Sequence, residues 1–393
     1  MKLYLNDLGL LCAVGNSKTE VMKRLLAGDR SGFVETDLTG AAPGVMVGQV
    51  DGELPEIDLQ YSIYNCRNNQ LLLAALSQIR ATVDGMIARF GVDRIGIVLG
   101  TSTSGVRTTE VALAYEAENG VLPEQFHYKQ QQMGAGADFL AAYLGINGPA
   151  YTISTACSSS GKAFASARRL IKLGLCDAVI VGGADSLCSL TVNGFAALES
   201  ISTGLCKPFG RHRDGINIGE AASLFVLSKE PGPVELQGIG ATSDAYHISA
   251  PDPAGTAVVR AMQLALDDAG KTPDEIDYLN LHGTATVLND AMESKSVNDL
   301  FGAKLAASSS KGMTGHTLGA AAALELGFCW LLLTRDDGQG QLIPNINDDG
   351  PDSELAPLNL VEKGGKLGRR INACQSNSFA FGGNNLSIVI ARA

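Results

Sequence analysis

A cysteine, two histidines, a lysine and a glutamate are the side chains of this sequence whose settings suit covalent chemistry. Cys157 lies in TISTACSSSGKAF, where β-branched residues give way to small ones and then to a helical run carrying Ala163, Phe164, Ala167 and Leu170. That pattern sets the thiol on a strand-to-helix turn. Free N–H groups and the positive end of the helix dipole favour thiolate over thiol, so the expectation is a nucleophile activated by the helix start. A buried, inert thiol is the competing reading. It suits the rest of the eight cysteines, which have irregular spacing and no CxxC pair.

His282 directly follows a strand-like run, Tyr278 to Leu281, and His316 lies in SSSKGMTGHTLGAAAALE at a helix start. Loop ends of this kind are where catalytic groups sit. Either histidine alone reads as a cap or packing residue, but both together with a helix-start cysteine form a set able to move protons and donate hydrogen bonds. Lys311 precedes His316 in the same segment, and Glu325 follows it inside an Ala/Leu-rich helix. A buried ionised carboxylate costs several kcal/mol unless it is paired, so Lys311 or a histidine is its expected partner. In NSFAFGGNN at 377–385, Phe379 and Phe381 are either core or a gate. The pair Gly382 and Gly383 leaves the backbone free to approach a ligand and to move. No metal is expected, because the histidines lack i, i+4 spacing and have no accompanying carboxylate. Neither a dinucleotide fingerprint nor a P-loop occurs, so no nucleotide cofactor is implied.

The elements that must position these groups alternate. Helical runs are interleaved with short β-branched strands at Ile95 to Leu99, Ala178 to Val181, Leu224 to Leu227, Ile276 to Leu281 and Leu386 to Ile390, an α/β pattern with buried strands. The series also reads twice. A helix from Asn68 to Arg89 leads to RIGIVLGTSTSG, and one from Thr256 to Ala269 leads to DYLNLHGTATVL. A small-residue turn then opens a long helix at 155–174 and again at 314–333. A Gly-rich turn precedes a strand at 219–230 and again at 381–393. Two similar halves are expected, 1–232 with the cysteine and 233–393 with the histidines and the Gly-rich loop, sharing a seam. The chain has 393 residues, 45% hydrophobic and 18% charged, which is ample for two halves around shared core. A net charge of -11 argues against a general nucleic-acid binder. With no apolar run of membrane-spanning length and no leader pattern, a soluble cytoplasmic protein without a membrane span is expected.

TACSSS, HGTAT, SSSKGMTGH with its glutamate, and NSFAFGG stand in the order found in β-ketoacyl-acyl-carrier-protein synthases of the I/II type, and the sequence resembles that family over nearly its whole length. The resemblance implies the thiolase-like fold, a duplicated α-β-α-β-α layering. It implies decarboxylative Claisen condensation of a Cys157-bound acyl thioester with a malonyl unit. His282 and His316 would hold the malonyl thioester carbonyl, with Lys311 and Glu325 as supporting charges. The N–H groups of Cys157 and Phe381 would form an oxyanion hole, Thr284 and Thr286 would bind the pantetheine arm, and Phe379 to Gly383 with Asp244 to His247 would gate the site. No bound cofactor is implied, since substrates ride on the phosphopantetheine of an acyl carrier protein. The other implied partner is a second copy or a homologous chain-length-factor-like subunit.

Two departures stand out: Ala380 replaces a gate-loop glycine, and Val287 a proline. Arg67, Lys207, Arg211 and Arg213 are candidates for a basic patch that meets the acidic carrier. The rival readings are a thiolase acting on coenzyme A esters, which would want a second catalytic cysteine where only Cys374 is near, and a non-catalytic chain-length partner, which typically lacks the nucleophile.

Overall fold

The computed structural model describes residues 1–38, 40–348 and 350–393. Eleven strands make the main sheet: β1 (Tyr4–Cys12), β2 (Ile95–Gly100), β3 (Ala150–Ile153), β4 (Ala178–Asp185), β5 (Ala221–Ser228), β6 (Val234–Ser243), β7 (Tyr278–Asn280), β8 (Ala306–Ser308), β9 (Asn359–Leu360), β10 (Ala373–Ala380) and β11 (Asn384–Arg392). Their order is β9-β8-β7-β10-β11-β6-β1-β5-β4-β2-β3. Outward from β1 the pairings run antiparallel to β5, antiparallel to β4, then parallel to β2 and β3. Outward from β6 they run antiparallel to β11, antiparallel to β10, then parallel to β7 and β8. The same five-strand order is therefore written twice. The two series are joined where Tyr4 and Leu5 of β1 pair with Glu235 and Val234 of β6.

Helices fill three layers. α1 (Arg67–Phe90) buries Leu71, Leu72, Leu76, Ile79 and Val83 against the first five-strand series. α3 (Thr256–Ala269) buries Ala265 and Leu266 against the second series. Between the two lie α2 (Ser159–Lys172) and α5 (Ala321–Thr334), packed into one core with strands of both. α5 is buried all round from Ala321 to Leu333, as a helix apolar on every face must be. The central pair touches closely because Gly161 has no side chain: a Cβ there would stand 2.0 Å from Leu386 and 3.0 Å from Ala322. This is the α-β-α-β-α layering expected from the sequence. The ends of α1 and α3 match to within a residue; β5 and β11 run longer at both ends than expected, β2 and β4 at one end, and the strand expected at Ile276 to Leu281 narrows to Tyr278–Asn280.

At 24 residues, α1 is long and apolar enough to cross a membrane, which the sequence reading did not anticipate. Its apolar stripe is occupied by the sheet.

Candidate active site

The functional side chains all follow the C-terminal ends of the parallel strands, where open α/β sheets bind ligands. Cys157 follows β3, and Lys311 and His316 follow β8, which occupies the same place in the second series. His282 follows β7, the counterpart of β2, and Phe381 follows β10, the counterpart of β4. The duplication thus brings the two halves' equivalent loops together.

The cysteine turn is built from its own small residues. Ala156 takes φ 51°, the Ser159 hydroxyl donates to the Ala156 carbonyl at 2.5 Å and accepts from the Thr155 N–H at 2.9 Å, and α2 begins at Ser159. Cys157 is 5% exposed and its Sγ lies 3.0 Å from His316 Nε2. Burial pushes the thiol up to about 11, against the pull of the Lys311 ammonium and of the backbone N–H groups of Phe381 and Cys157 itself. That corrects the expectation of a thiolate favoured by the helix start. Desolvation outweighs the turn's donors, so the thiol is protonated at rest and needs a base. The two backbone N–H groups that converge on Sγ are those the sequence reading named for the oxyanion hole.

His282 and His316 sit edge to face with ring centroids 5.4 Å apart, and Phe379 packs on His282 at 6.0 Å. Burial holds His282 well below the usual imidazole range, with Lys311 and His316 adding to the fall; burial and then Lys311 do the same to His316. Both rings are neutral. Lys311 Nζ donates to Glu325 Oε1 and to the His282 carbonyl, each at 2.5 Å, and lies 3.5 Å from His282 Nδ1. That position keeps the His282 proton on Nε2. Nδ1 of His316 is buried with no hydrogen-bond partner among the described residues, which leaves both of its tautomers open. Burial raises the Glu325 carboxyl, against the Lys311 ammonium and the Asn280 side chain.

Cys157, His282 and His316 line a cleft of about 290 Å³ together with Thr284, Thr286, Val287, Asp244, Phe379, Ala380, Phe381 and Gly383, while Lys311 and Glu325 stand behind its wall. The hydroxyls of Thr284 and Thr286 lie 2.9 Å apart. The two predicted gating segments are tied to each other. The Asp244 N–H donates to the Gly383 carbonyl at 2.9 Å, Asn385 Nδ2 to Asp244 Oδ1 at 2.6 Å, and the Gly382 N–H to the Ile248 carbonyl at 2.8 Å. Ala380 is extended, at φ -98° and ψ 154°, so its methyl is accommodated without strain.

Three buried acids that hold the loops around the site were missed. On α4 (Val287–Phe301), Glu293 accepts from the N–H groups of His282 and Gly283, both at 2.7 Å, and Asp290 accepts from the Phe209 and Ala285 N–H groups at 2.7 and 3.2 Å. Burial pushes Glu293 up to about 7 and Asp290 to about 6, against these donors. Their spacing of one helical turn directly after HGTATVLN was the available signal. The third is Asp185, at the end of β4. The proposed basic patch shrinks: Arg67 is a bidentate partner of fully buried Glu220 at 2.8 and 2.5 Å, and Arg213 pairs with Asp352 at 2.5 Å. Arg211 is exposed and Lys207 half-buried. Cys374 is buried in β10 and absent from the cleft lining, so the second cysteine a thiolase would use is not there.

One arrangement was invisible in the spacing. Donor atoms of Cys157, His282 and His316 all lie within 4.8 Å of one another, a sulfur-and-imidazole set that suits a zinc-like ion.

Residues 69–231 match the model of the beta-ketoacyl synthase N-terminal domain and residues 234–347 that of its C-terminal domain. The chain is 35% identical over 317 residues to the 3-oxoacyl-[acyl-carrier-protein] synthase 2 of Staphylococcus aureus, covering 76% of this chain and 77% of that one. It is 29% identical over 402 residues to nodulation protein E of Rhizobium meliloti, covering 98% and 97%. Among solved structures, it superposes with a TM-score of 0.93 and 45% identity on the ketosynthase ApeO in complex with its chain length factor ApeC from Xenorhabdus doucetiae, covering 100% and 98%. The ishigamide ketosynthase/chain length factor superposes with a TM-score of 0.88 at 27% identity, covering 100% and 99%.

Proposed function

Because the chain belongs to the beta-ketoacyl synthase family, whose members are acyl-transferring condensing enzymes, we propose that Cys157 holds the growing acyl chain while His282 and His316 handle the extender unit. The observation that carries this reading is the 3.0 Å approach of His316 Nε2 to Cys157 Sγ. In the first half-reaction Nε2 takes the thiol proton, Sγ attacks the acyl thioester carbonyl, and the departing pantetheine sulfur leaves with that proton. The N–H groups of Cys157 and Phe381 hold the oxygen that becomes negative; one such donor is worth about 3–4 kcal/mol.

In the second half-reaction a malonyl thioester enters along Thr284 and Thr286. Its carboxylate leaves as carbon dioxide, and the bonding pair passes into an enolate whose oxygen accepts from Nε2 of His282 and of His316, now in its other tautomer. The enolate carbon attacks the Cys157 thioester, the C–S bond breaks, and the thiolate takes up a proton. Neutral rings suit this task, since they donate without placing a fixed charge beside the reacting carboxylate. Lys311 and Glu325 act through His282 rather than on substrate. Phe379 to Gly383 and Asp244 form the gate.

We also infer that 1–232 and 233–393 act as the two halves of one catalytic unit. The substrates are carried on the phosphopantetheine of an acyl carrier protein, which meets a basic rim that includes Arg211. The second subunit is a copy of this chain or a homologous chain-length-factor-like chain. Strand β3, half-buried at the sheet edge, and the helix Val106–Asn119, which exposes Val111, Leu113 and Tyr115 and buries Ala112, supply the surface for it. Incubating the protein with acyl- and malonyl-carrier proteins and reading product masses tests the assignment. A β-ketoacyl product lengthened by two carbons is expected, and elongation that persists in Cys157→Ala would refute the role of the cysteine.

A further inference from the structure

Asp185 is fully buried at the end of β4, pairs with no cation among the described residues, and gathers donors from two separate segments. Its Oδ1 accepts from the Thr101 hydroxyl at 2.5 Å, the Ser102 and Thr103 N–H groups at 2.8 Å each, and the Thr103 hydroxyl at 2.9 Å. Its Oδ2 accepts from the Gly319 N–H at 2.5 Å and the Ser102 N–H at 3.1 Å. The first segment is the loop after β2, whose Ser102 hydroxyl donates to the carbonyl of Ala156 at 3.3 Å, the residue before the nucleophile. The second is the turn just after His316, where Leu318 takes φ 51°. A Cβ on Gly319 would stand 2.8 Å from Asp185 Oδ2 and 2.7 Å from Ser102 Oγ, so the turn reaches the carboxylate only as glycine.

We propose that Asp185 is a positioning residue that locks the turn carrying Cys157 to the turn carrying His316, and so sets the Sγ–Nε2 distance across the seam between the two halves. It touches no substrate. Residues 155–158 and 316–319 hold Ala156 and Leu318 in left-handed backbone conformations that L-residues adopt only when their surroundings over-determine them. A carboxylate held by five donors between them is such a constraint. Its two oxygens share the work unequally: Oδ1 holds only the nucleophile's side, and Oδ2 accepts from the base's side at 2.5 Å with a longer contact to the Ser102 N–H at 3.1 Å.

This inference rests on Cys157 and His316 being the reacting pair, and the experiment separates the two. Asp185→Asn keeps one oxygen for the Thr101–Thr103 loop and turns an NH2 group toward the Gly319 N–H, so it releases the His316 turn selectively. Transfer of an acyl group from its carrier to Cys157 is expected to slow tenfold or more in kcat, with KM within twofold. Alkylation of Cys157 by iodoacetamide at neutral pH should slow likewise. The direction decides the matter, because loss of a negative charge near the thiol, taken alone, makes the thiolate easier to form and alkylation faster. Alkylation that is faster or unchanged, or acyl transfer within twofold of wild type, overturns the proposal. Should Asp185→Asn fail to fold, Ser102→Ala cuts the link to the Ala156 carbonyl, and a threefold slowing in the same two assays is expected; no slowing overturns the proposal. Cys157→Ala runs alongside: if it still becomes acylated and elongates, the reading of the site fails, whatever Asp185 does.

Discussion

His316 Nε2 lies 3.0 Å from Cys157 Sγ although 159 residues separate them in the chain. The thiol at this contact is pushed up to about 11 by burial, and the imidazole is held well below its usual range. The pair is therefore thiol and neutral imidazole at rest, and in the proposed mechanism the proton moves when substrate arrives.

Removing either member has distinct outcomes. Cys157→Ala should abolish condensation yet retain release of carbon dioxide from malonyl-carrier protein, because the histidine pair does not need the thiol. His316→Ala should lower acylation of Cys157 about 10²–10⁴-fold, the usual worth of a positioned base. Mass spectrometry of the acyl-enzyme and trapped carbon dioxide separate the two effects.

Malonyl decarboxylation should show no imidazole break near pH 6.5. Burial lowers both imidazoles, so each stays neutral as the pH falls through the range where a solvated histidine, at about 6.5, would gain a proton. The rate measured on Cys157→Ala should show no imidazole titration from about pH 8 down to about pH 6, and a limb near 7 that survives in His282→Gln belongs to Glu293, pushed up to about 7 by burial. An acid limb centred near 6.5 that disappears in His282→Gln would contradict the assigned protonation.

Lys311 and Glu325 are a buried pair, 1% and 2% exposed, and breaking it from one side should be costly. Lys311→Met leaves a carboxylate without its cation and should lose about 3–5 kcal/mol of stability in urea denaturation. Lys311→Met combined with Glu325→Leu should recover most of that loss but none of the decarboxylation, since the His282 proton is then no longer held on Nε2. Recovery of activity would show that Lys311 serves the fold alone.

Zinc should inhibit. The Cys157, His282 and His316 donor atoms lie within 4.8 Å of one another, and neutral imidazoles with a thiol that can deprotonate onto a metal suit such an ion. Inhibition should be reversed by a chelator and prevented by prior acylation of Cys157. Equal sensitivity of the acylated protein would remove the thiol from the binding set.

At the gate, Ala380→Gly should widen the range of acyl chains accepted and cost about 0.5–1 kcal/mol of stability, because Ala380 is extended and needs no glycine. Competition between acyl-carrier proteins of different chain length measures the first effect. An unchanged chain preference would exclude this position from specificity.

The layering was implied by the family resemblance, while the α/β alternation and the doubled series of elements were readable because both are local properties. The same is true of the candidate residues. Cys157, His282, His316, Lys311 and Glu325 each carried a local mark, a helix start, a strand end or a charge in an apolar run. What no spacing contained was distance. The sulfur-and-imidazole cluster, the pairing of Arg67 with Glu220, and the reach of Asp185 to Gly319 all join residues far apart in the chain, and only tertiary packing sets them. The protonation of Cys157 was misjudged for the same reason. A helix start is visible in sequence, but the desolvation that outweighs it comes from neighbours contributed by both halves, and burial of that kind exists only once the chain is folded.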